Sequence, residues 1–140
     1  MRYLILLVIL SSCGKLYIDP ALQPYIDQFE LAGNIPTGPL VAKFGVLTRV
    51  TGEEGECSTN FFSAPTITIN PTFWAFASET DRTLVVFHEL GHCVLNRAHN
   101  NTVAGGHPVS IMNLHATWVS DLYEINSAPF LNELFKPTDR

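Results

Sequence analysis

Hydrophobic and polar residues follow two different periods along this chain, and each period predicts a different kind of element. Apolar side chains at helical spacing predict an amphipathic helix over residues 21–31, which Gly33 and Asn34 would end. Residues 40–50 are rich in Val, Leu and Phe and predict a strand, and a second strand is expected over residues 58–62.

A third strand is predicted where polar and β-branched apolar residues alternate between two prolines. The alternating residues are Thr66, Ile67, Thr68, Ile69 and Asn70. This alternation is typical of a strand that is half buried or that lies at the edge of a sheet.

The strongest helical signal begins at Ser78, where Asp81 three positions later imitates a capping box. Over residues 83–95 apolar side chains occupy nearly every side of the predicted helix, so most of it must be buried. A last short amphipathic helix is expected over residues 127–135. A predicted helix, three strands and two further helices follow one another in this order, and we expect an α+β fold.

The composition is that of one compact domain, with 140 residues of which 46% are hydrophobic and 15% are charged. Eight Lys and Arg stand against thirteen Asp and Glu, which gives a formal net charge of −5, and no basic cluster is present. Because affinity for nucleic acids depends on basic side chains that neutralise phosphates, we expect no nucleic-acid partner. We also expect a monomer.

The N-terminus carries an aliphatic run over residues 4–10, which is too short to span a bilayer but long enough for a signal peptide. The run leads into Leu-Ser-Ser-Cys, which resembles the lipobox of bacterial lipoproteins and implies a lipidated Cys13. Residues 1–12 would then be a signal peptide and residues 13–140 the mature domain, exported and lipid-anchored to a membrane of the bacterial cell envelope. The alternative is a hydrophobic N-terminal strand with an incidental cysteine.

Two cysteines remain if Cys13 carries lipid. An exported protein meets an oxidising environment, so Cys57 and Cys93 are expected to form a disulfide. The alternative is a pair of buried free thiols, because spacing alone does not show that the two residues are close in space.

The chemistry of the predicted buried helix is concentrated in His88, Glu89 and His92, which form the pattern HExxH. Residues four apart lie on one face of a helix, so both imidazoles can bind one metal ion, with the carboxylate beside its open side. Burying these groups costs several kcal/mol unless each is paired or bound to metal, and Zn²⁺ would satisfy all three.

The longer segment HELGHCVLNRAH resembles the metzincin family of zinc proteases, whose pattern is HExxHxxGxxH. The resemblance implies a third zinc ligand at His99, with one residue inserted before it. Asn96 then takes the place of the family's glycine, and Asn is the next-best residue for a left-handed helix end. The alternative third ligand is a downstream carboxylate such as Glu124.

A second similarity to metzincins lies at Ser110–Met112, the sequence Ser-Ile-Met, which resembles the family's Met-turn. The resemblance implies a small zincin domain in which a twisted mixed sheet packs on the active-site helix, with a C-terminal helix after the Met-turn and Met112 below the zinc. It also implies that an extended substrate adds to an edge strand, for which residues 66–70 are our candidate.

The function that this resemblance implies is a zinc-dependent endopeptidase acting on a peptide or protein substrate, with Glu89 as general base. The alternative is a non-catalytic zinc-binding lipoprotein or interaction module on a protease-like fold. His115 and Tyr123 are weaker candidates for a role beside the metal, and His107 is expected to be exposed in a loop.

Overall fold

The computed structural model describes residues 16–48 and 54–136. Within these ranges no helix is long and apolar enough to cross a membrane. The predicted signal peptide and lipidation site, residues 1–12 and Cys13, lie outside the described residues.

The described chain is a mixed α/β fold. The strands are β1 (Tyr17–Ile18), β2 (Val41–Phe44), β3 (Gly55–Asn60), β4 (Ser63–Ile69), β5 (Val103–Ala104) and β6 (His107–Pro108). The helices are α1 (Gln23–Gly33), α2 (Pro71–Phe76), α3 (Glu79–Cys93), α4 (Ser120–Ile125) and α5 (Ala128–Leu134), with a 3-10 turn over Ala116–Val119.

The main sheet is small and mixed, with the strand order β1-β2-β4-β3. Strands β1, β2 and β4 are parallel, with Tyr17 paired to Val41 and Val41 to Thr66. Strand β3 is antiparallel to β4 through a hairpin that pairs Ser58 with Thr66. The three parallel strands therefore begin at one end of the sheet, which is also the end that carries the β3–β4 turn.

The prediction that residues 66–70 form an edge strand is wrong. Strand β4 lies between β2 and β3 and pairs with both, so no further strand can be added beside it. The alternation correctly marks a strand whose Ile67 and Ile69 are fully buried. Alternation reports which face is covered and says nothing about the number of neighbouring strands. The edge strand of the sheet that contacts α3 is β3.

Helix α3 begins as predicted, because Ser78 and Asp81 form a capping box. Every residue from Thr83 to Gly91 is buried, since the helix packs against β3, β4 and α1. The core of this packing includes Phe29 and Phe87, whose rings meet edge to face at 5.3 Å. Among the helices that the structure describes, the one with the longest buried stretch therefore carries His88, Glu89 and His92.

Helix α2 was not predicted from the sequence. Asn70, which the sequence predicts as the end of a strand, is the N-cap of α2. Its side chain accepts a hydrogen bond from the backbone N–H of Thr72 at 2.9 Å, and Pro71 is the first residue of the helix. Asn followed by Pro fits a helix start as well as a strand end, so the local signal was ambiguous.

The predicted disulfide between Cys57 and Cys93 is present, with an S–S distance of 2.05 Å. It joins β3 to the last residue of α3 and excludes the alternative of two free thiols. The edge strand is therefore held covalently to the helix that carries the histidines.

Candidate metal centre

Three imidazole nitrogens converge at the end of α3. The Nε2 atom of His92 lies 3.0 Å from that of His88 and 3.2 Å from that of His99. The three ligand atoms all lie within 4.8 Å of one another, and among the described residues they form the group placed to hold a metal ion. His88 is buried and His99 exposed, so the cluster opens from the core to the surface.

In two of the rings, the hydrogen bond made by Nδ1 determines the protonation of Nε2. His88 Nδ1 lies 2.8 Å from the carbonyl oxygen of Ile111, and His92 Nδ1 lies 2.7 Å from that of Arg97. A carbonyl oxygen only accepts, so each Nδ1 must donate, and the neutral rings present bare Nε2 lone pairs to each other. Two such lone pairs at 3.0 Å repel unless a cation lies between them.

The spacing of these nitrogens also fits a metal. A tetrahedral zinc ion with Zn–N distances of about 2.0–2.1 Å holds its nitrogens about 3.3 Å apart. The observed separations of 3.0 and 3.2 Å lie close to that value. Hydrogen bonding of the outer ring nitrogen to a carbonyl is the usual arrangement for a metal-binding histidine.

The chain reaches His99 through a widened turn. The N–H of Leu95 donates to the carbonyl of Leu90 at 3.3 Å, and the N–H of Arg97 donates to Gly91 at 2.9 Å, spans of five and six residues. Asn96 between them has a φ of 52°, which confirms the predicted left-handed turn. The wider turn accommodates the extra residue between His92 and His99 that the sequence comparison required.

Met112 is buried and packs against α3 beside Gly91. A hydrogen-bonded turn connects Ser110 and Asn113, and Met112 is fully buried within it. A side chain at Gly91 would overlap the Met112 sulfur, so only glycine leaves room at this point of the helix. The N–H of Asn100 donates to the Met112 carbonyl at 2.7 Å and ties the segment after His99 to the same turn.

Glu89 is 5% exposed and packs against the edge strand. A Cβ atom at Gly55 would lie 2.9 Å from Glu89 Cγ and 3.0 Å from Oε1, so the first residue of β3 must be small for this side chain to fit. The carboxylate therefore lies between α3 and the start of β3.

One carboxylate connects the segments that orient His88 and His92 with the segment that follows His99. Glu133 on α5 pairs with Arg97 at 2.5 Å and accepts hydrogen bonds from Asn100 at 3.0 Å and from Ser110 at 2.5 Å. Arg97 supplies the carbonyl that orients His92, Asn100 follows His99, and Ser110 precedes the carbonyl that orients His88. The sequence singles out Ser110 only as part of the Met-turn resemblance, and it gives no sign of Glu133, Arg97 or Asn100, because no local spacing relates α5 to the histidines.

We expect Glu133→Gln to weaken the binding of added Zn²⁺ about 10- to 100-fold, the usual cost of losing a partner that orients metal ligands. Neutral Gln loses the ion pair to Arg97, whose side chain is 11% exposed. Glu124→Gln is the matched control, because Glu124 is an exposed carboxylate bonded to Thr80. Competition titration with a chelating dye measures the affinity, and equal weakening in both variants would contradict this role.

Burial lowers the pKa of His88 to about 4, and the neighbouring His92 and His99 act in the same direction, while the hydrogen bond to Ile111 opposes the shift. The unfolded chain, with an ordinary pKa of 6.5, takes up the proton first as the pH falls. The metal-free protein should therefore lose about 3 kcal/mol of stability between pH 6.5 and pH 4, and no more from this group below that range.

Urea unfolding of chelator-treated protein across this range measures the loss. His88→Asn is the control, because it removes the titrating group and should flatten this part of the stability profile. An unchanged slope in the variant would assign the pH dependence to other groups.

The remaining candidate residues lie elsewhere. Glu124, the alternative third ligand, accepts a hydrogen bond from Thr80 at 2.7 Å and is not part of the cluster, so that alternative is wrong. His115 is exposed and stacks on Trp118 with ring centroids 4.4 Å apart. His107 is exposed, as predicted, but it lies in the short strand β6 and not in a loop. Tyr123 packs near Phe130, and burial raises the pKa of its phenol.

The chain matches no known protein-family model, and no curated protein or solved structure is significantly similar to it. Fold and site together define a small mixed α/β domain, closed by a disulfide, with three histidines placed to bind a metal ion.

Proposed function

We propose that this protein is a zinc-dependent endopeptidase of metzincin type. The observation that carries the proposal is the convergence of three imidazole Nε2 atoms, in rings whose orientation is set by backbone carbonyls, on a helix that also presents Glu89. Three histidine ligands leave a fourth position open, which is the arrangement of catalytic rather than structural zinc sites. The buried Met112 under the same helix supports the comparison with a Met-turn.

The chemistry that zinc supplies when bound is Lewis-acid activation of water and of the scissile carbonyl. His88, His92 and His99 would hold the ion through neutral Nε2 atoms. Glu89 accepts the proton of the attacking water on its carboxylate and then delivers it to the nitrogen of the leaving amine. The partly apolar surroundings of Glu89 limit access of bulk water to this proton transfer.

Strand β3 replaces residues 66–70 as our candidate for the substrate edge. It forms the end of the sheet beside α3, and its first residue, Gly55, contacts Glu89. An extended peptide that pairs with the open edge of β3 would pass close to that carboxylate. The disulfide from Cys57 to Cys93 keeps this edge at a fixed distance from the metal-binding helix.

We further propose that the enzyme acts at the bacterial cell envelope, exported and anchored through lipid on Cys13. The support is the Leu-Ser-Ser-Cys sequence after a short aliphatic run. Mass spectrometry of the protein extracted from membranes would show a diacylated cysteine at the new N-terminus. An intact Met1 and an unmodified Cys13 would contradict the anchor without affecting the peptidase proposal.

The peptidase proposal is tested by incubating the zinc-loaded protein with a mixture of unstructured peptides and identifying products by mass spectrometry. We expect new termini within the peptides, loss of cleavage with a chelator and recovery with added zinc. Tight zinc binding without cleavage of any peptide would favour the alternative, a zinc-binding module without catalysis.

A further inference from the structure

Two adjacent phenylalanines stand at the turn of the β3–β4 hairpin. Phe61 and Phe62 are each 94% exposed, and their rings pack edge to face at 5.3 Å. The Asn60 side chain accepts a hydrogen bond from the Phe62 N–H at 3.0 Å, which holds the turn in shape. A fixed pair of fully exposed aromatic rings is unfavourable in water and indicates a contact surface.

We call this pair of rings the hairpin tip. One carboxylate lies beside it: Glu30 accepts hydrogen bonds from the N–H and the hydroxyl of Thr37, which lines the adjoining depression. A depression of about 630 Å³ beside it is lined by residues that include Leu16, Pro36, Pro39 and Val94. The two segments that frame the depression, residues 34–42 and 57–66, contain no Asp, Glu, Lys or Arg, although the chain as a whole has a net charge of −5. These framing segments therefore add no negative charge that would repel an anionic surface, and the nearby Glu30 carboxylate is half-buried and bonded to Thr37.

The chain enters the fold at the same place. Leu16 lines the depression together with Phe61 and Phe62, is 67% exposed and directly precedes β1. Because β1, β2 and β4 are parallel, the start of β1 and the turn before β4 lie at one end of the sheet. Cys13, which lies outside the described residues, is three residues before Leu16 in the sequence, and three residues span at most about 10 Å of chain.

We propose that the hairpin tip inserts into the membrane that anchors the protein, with the rings of Phe61 and Phe62 in the interfacial layer of the lipid. The partner of this surface is a lipid bilayer. That this end of the domain faces the membrane rests on the lipid anchor proposed at Cys13. Membrane insertion of the tip does not depend on peptidase activity. Two attachment points, lipid and aromatic tip, fix the orientation of the domain on the surface, which a single flexible tether does not.

Fluorescence quenching by lipids brominated in their acyl chains tests the insertion. The full chain is reconstituted in phosphatidylglycerol–phosphatidylethanolamine vesicles as Phe61→Trp, with Val46→Trp as the matched control. Val46 is 93% exposed and follows β2 at the opposite end of the sheet. After subtraction of the parent signal from Trp74 and Trp118, we expect quenching of the Trp at position 61 and none at position 46.

A Trp at position 61 that stays unquenched, or equal quenching at both positions, would overturn the proposal. A second measurement uses the chain with Cys13→Ser, which carries no lipid. There the change of Phe61 and Phe62 to Ser should weaken vesicle binding at least about tenfold, because two rings leave the interface. Unchanged vesicle binding together with weaker peptide cleavage would overturn the proposal and assign the tip to substrate binding.

Discussion

Replacing Glu89 with Gln should lower the rate of peptide cleavage about 10²- to 10⁴-fold while zinc stays bound, because the amide cannot accept a proton from water. Gln has nearly the shape of Glu, so the contact with Gly55 at the start of β3 should survive. The variant therefore removes the proton acceptor and leaves the fold and the three imidazoles in place. Steady-state cleavage of one peptide identified as a substrate, with zinc content measured on the same samples, gives both quantities.

Glu124→Gln is the control for this experiment, because it removes a carboxylate of the same size that lies outside the cluster. It should retain full activity. Cleavage by Glu89→Gln at the parent rate would show that another group accepts the proton and would remove the mechanism proposed here. Loss of zinc from Glu89→Gln would instead show that the residue acts on metal binding.

Replacing His99 with Ala should weaken zinc binding at least about 100-fold, more than the loss of an orienting partner costs, because a metal–nitrogen bond itself is removed. His99 is exposed, and its Nε2 atom lies 3.2 Å from that of His92. Truncation at an exposed position should leave the core intact, so unfolding of the metal-free variant should match that of the metal-free parent. Competition with a chelating dye measures the affinity.

His115→Ala is the matched control, because His115 is an exposed histidine outside the cluster. It should bind zinc like the parent. Equal affinity in His99→Ala and the parent would mean that a different group completes the site.

The parts of the site that lie close together in sequence could be predicted. The capping box at Ser78, the apolar pattern after it and the four-residue spacing of His88 and His92 are all local features of one helix. The left-handed turn at Asn96 could also be predicted, because the conformational preference of Asn is a property of the residue itself. His99 itself was predicted from the resemblance to the metzincin pattern, and the structure places it with the other two histidines.

The parts that depend on distant segments could not be predicted. The alternation in residues 66–70 reported burial, whereas the position of β4 inside the sheet depends on pairing with both β2 and β3. Glu133 lies 36 positions after Arg97, and their contact arises only when α5 packs near the loop that carries His99. Pairing and packing over such separations leave no periodic trace in a single sequence.

X-ray absorption at the zinc edge, recorded on the zinc-loaded protein, tests the central claim most directly. The claim is that three imidazoles hold the ion and leave one position to solvent. We expect three histidine nitrogens at about 2.0–2.1 Å and one further oxygen. A fourth imidazole, a sulfur ligand, or fewer than three imidazoles would contradict the site and with it the proposed peptidase.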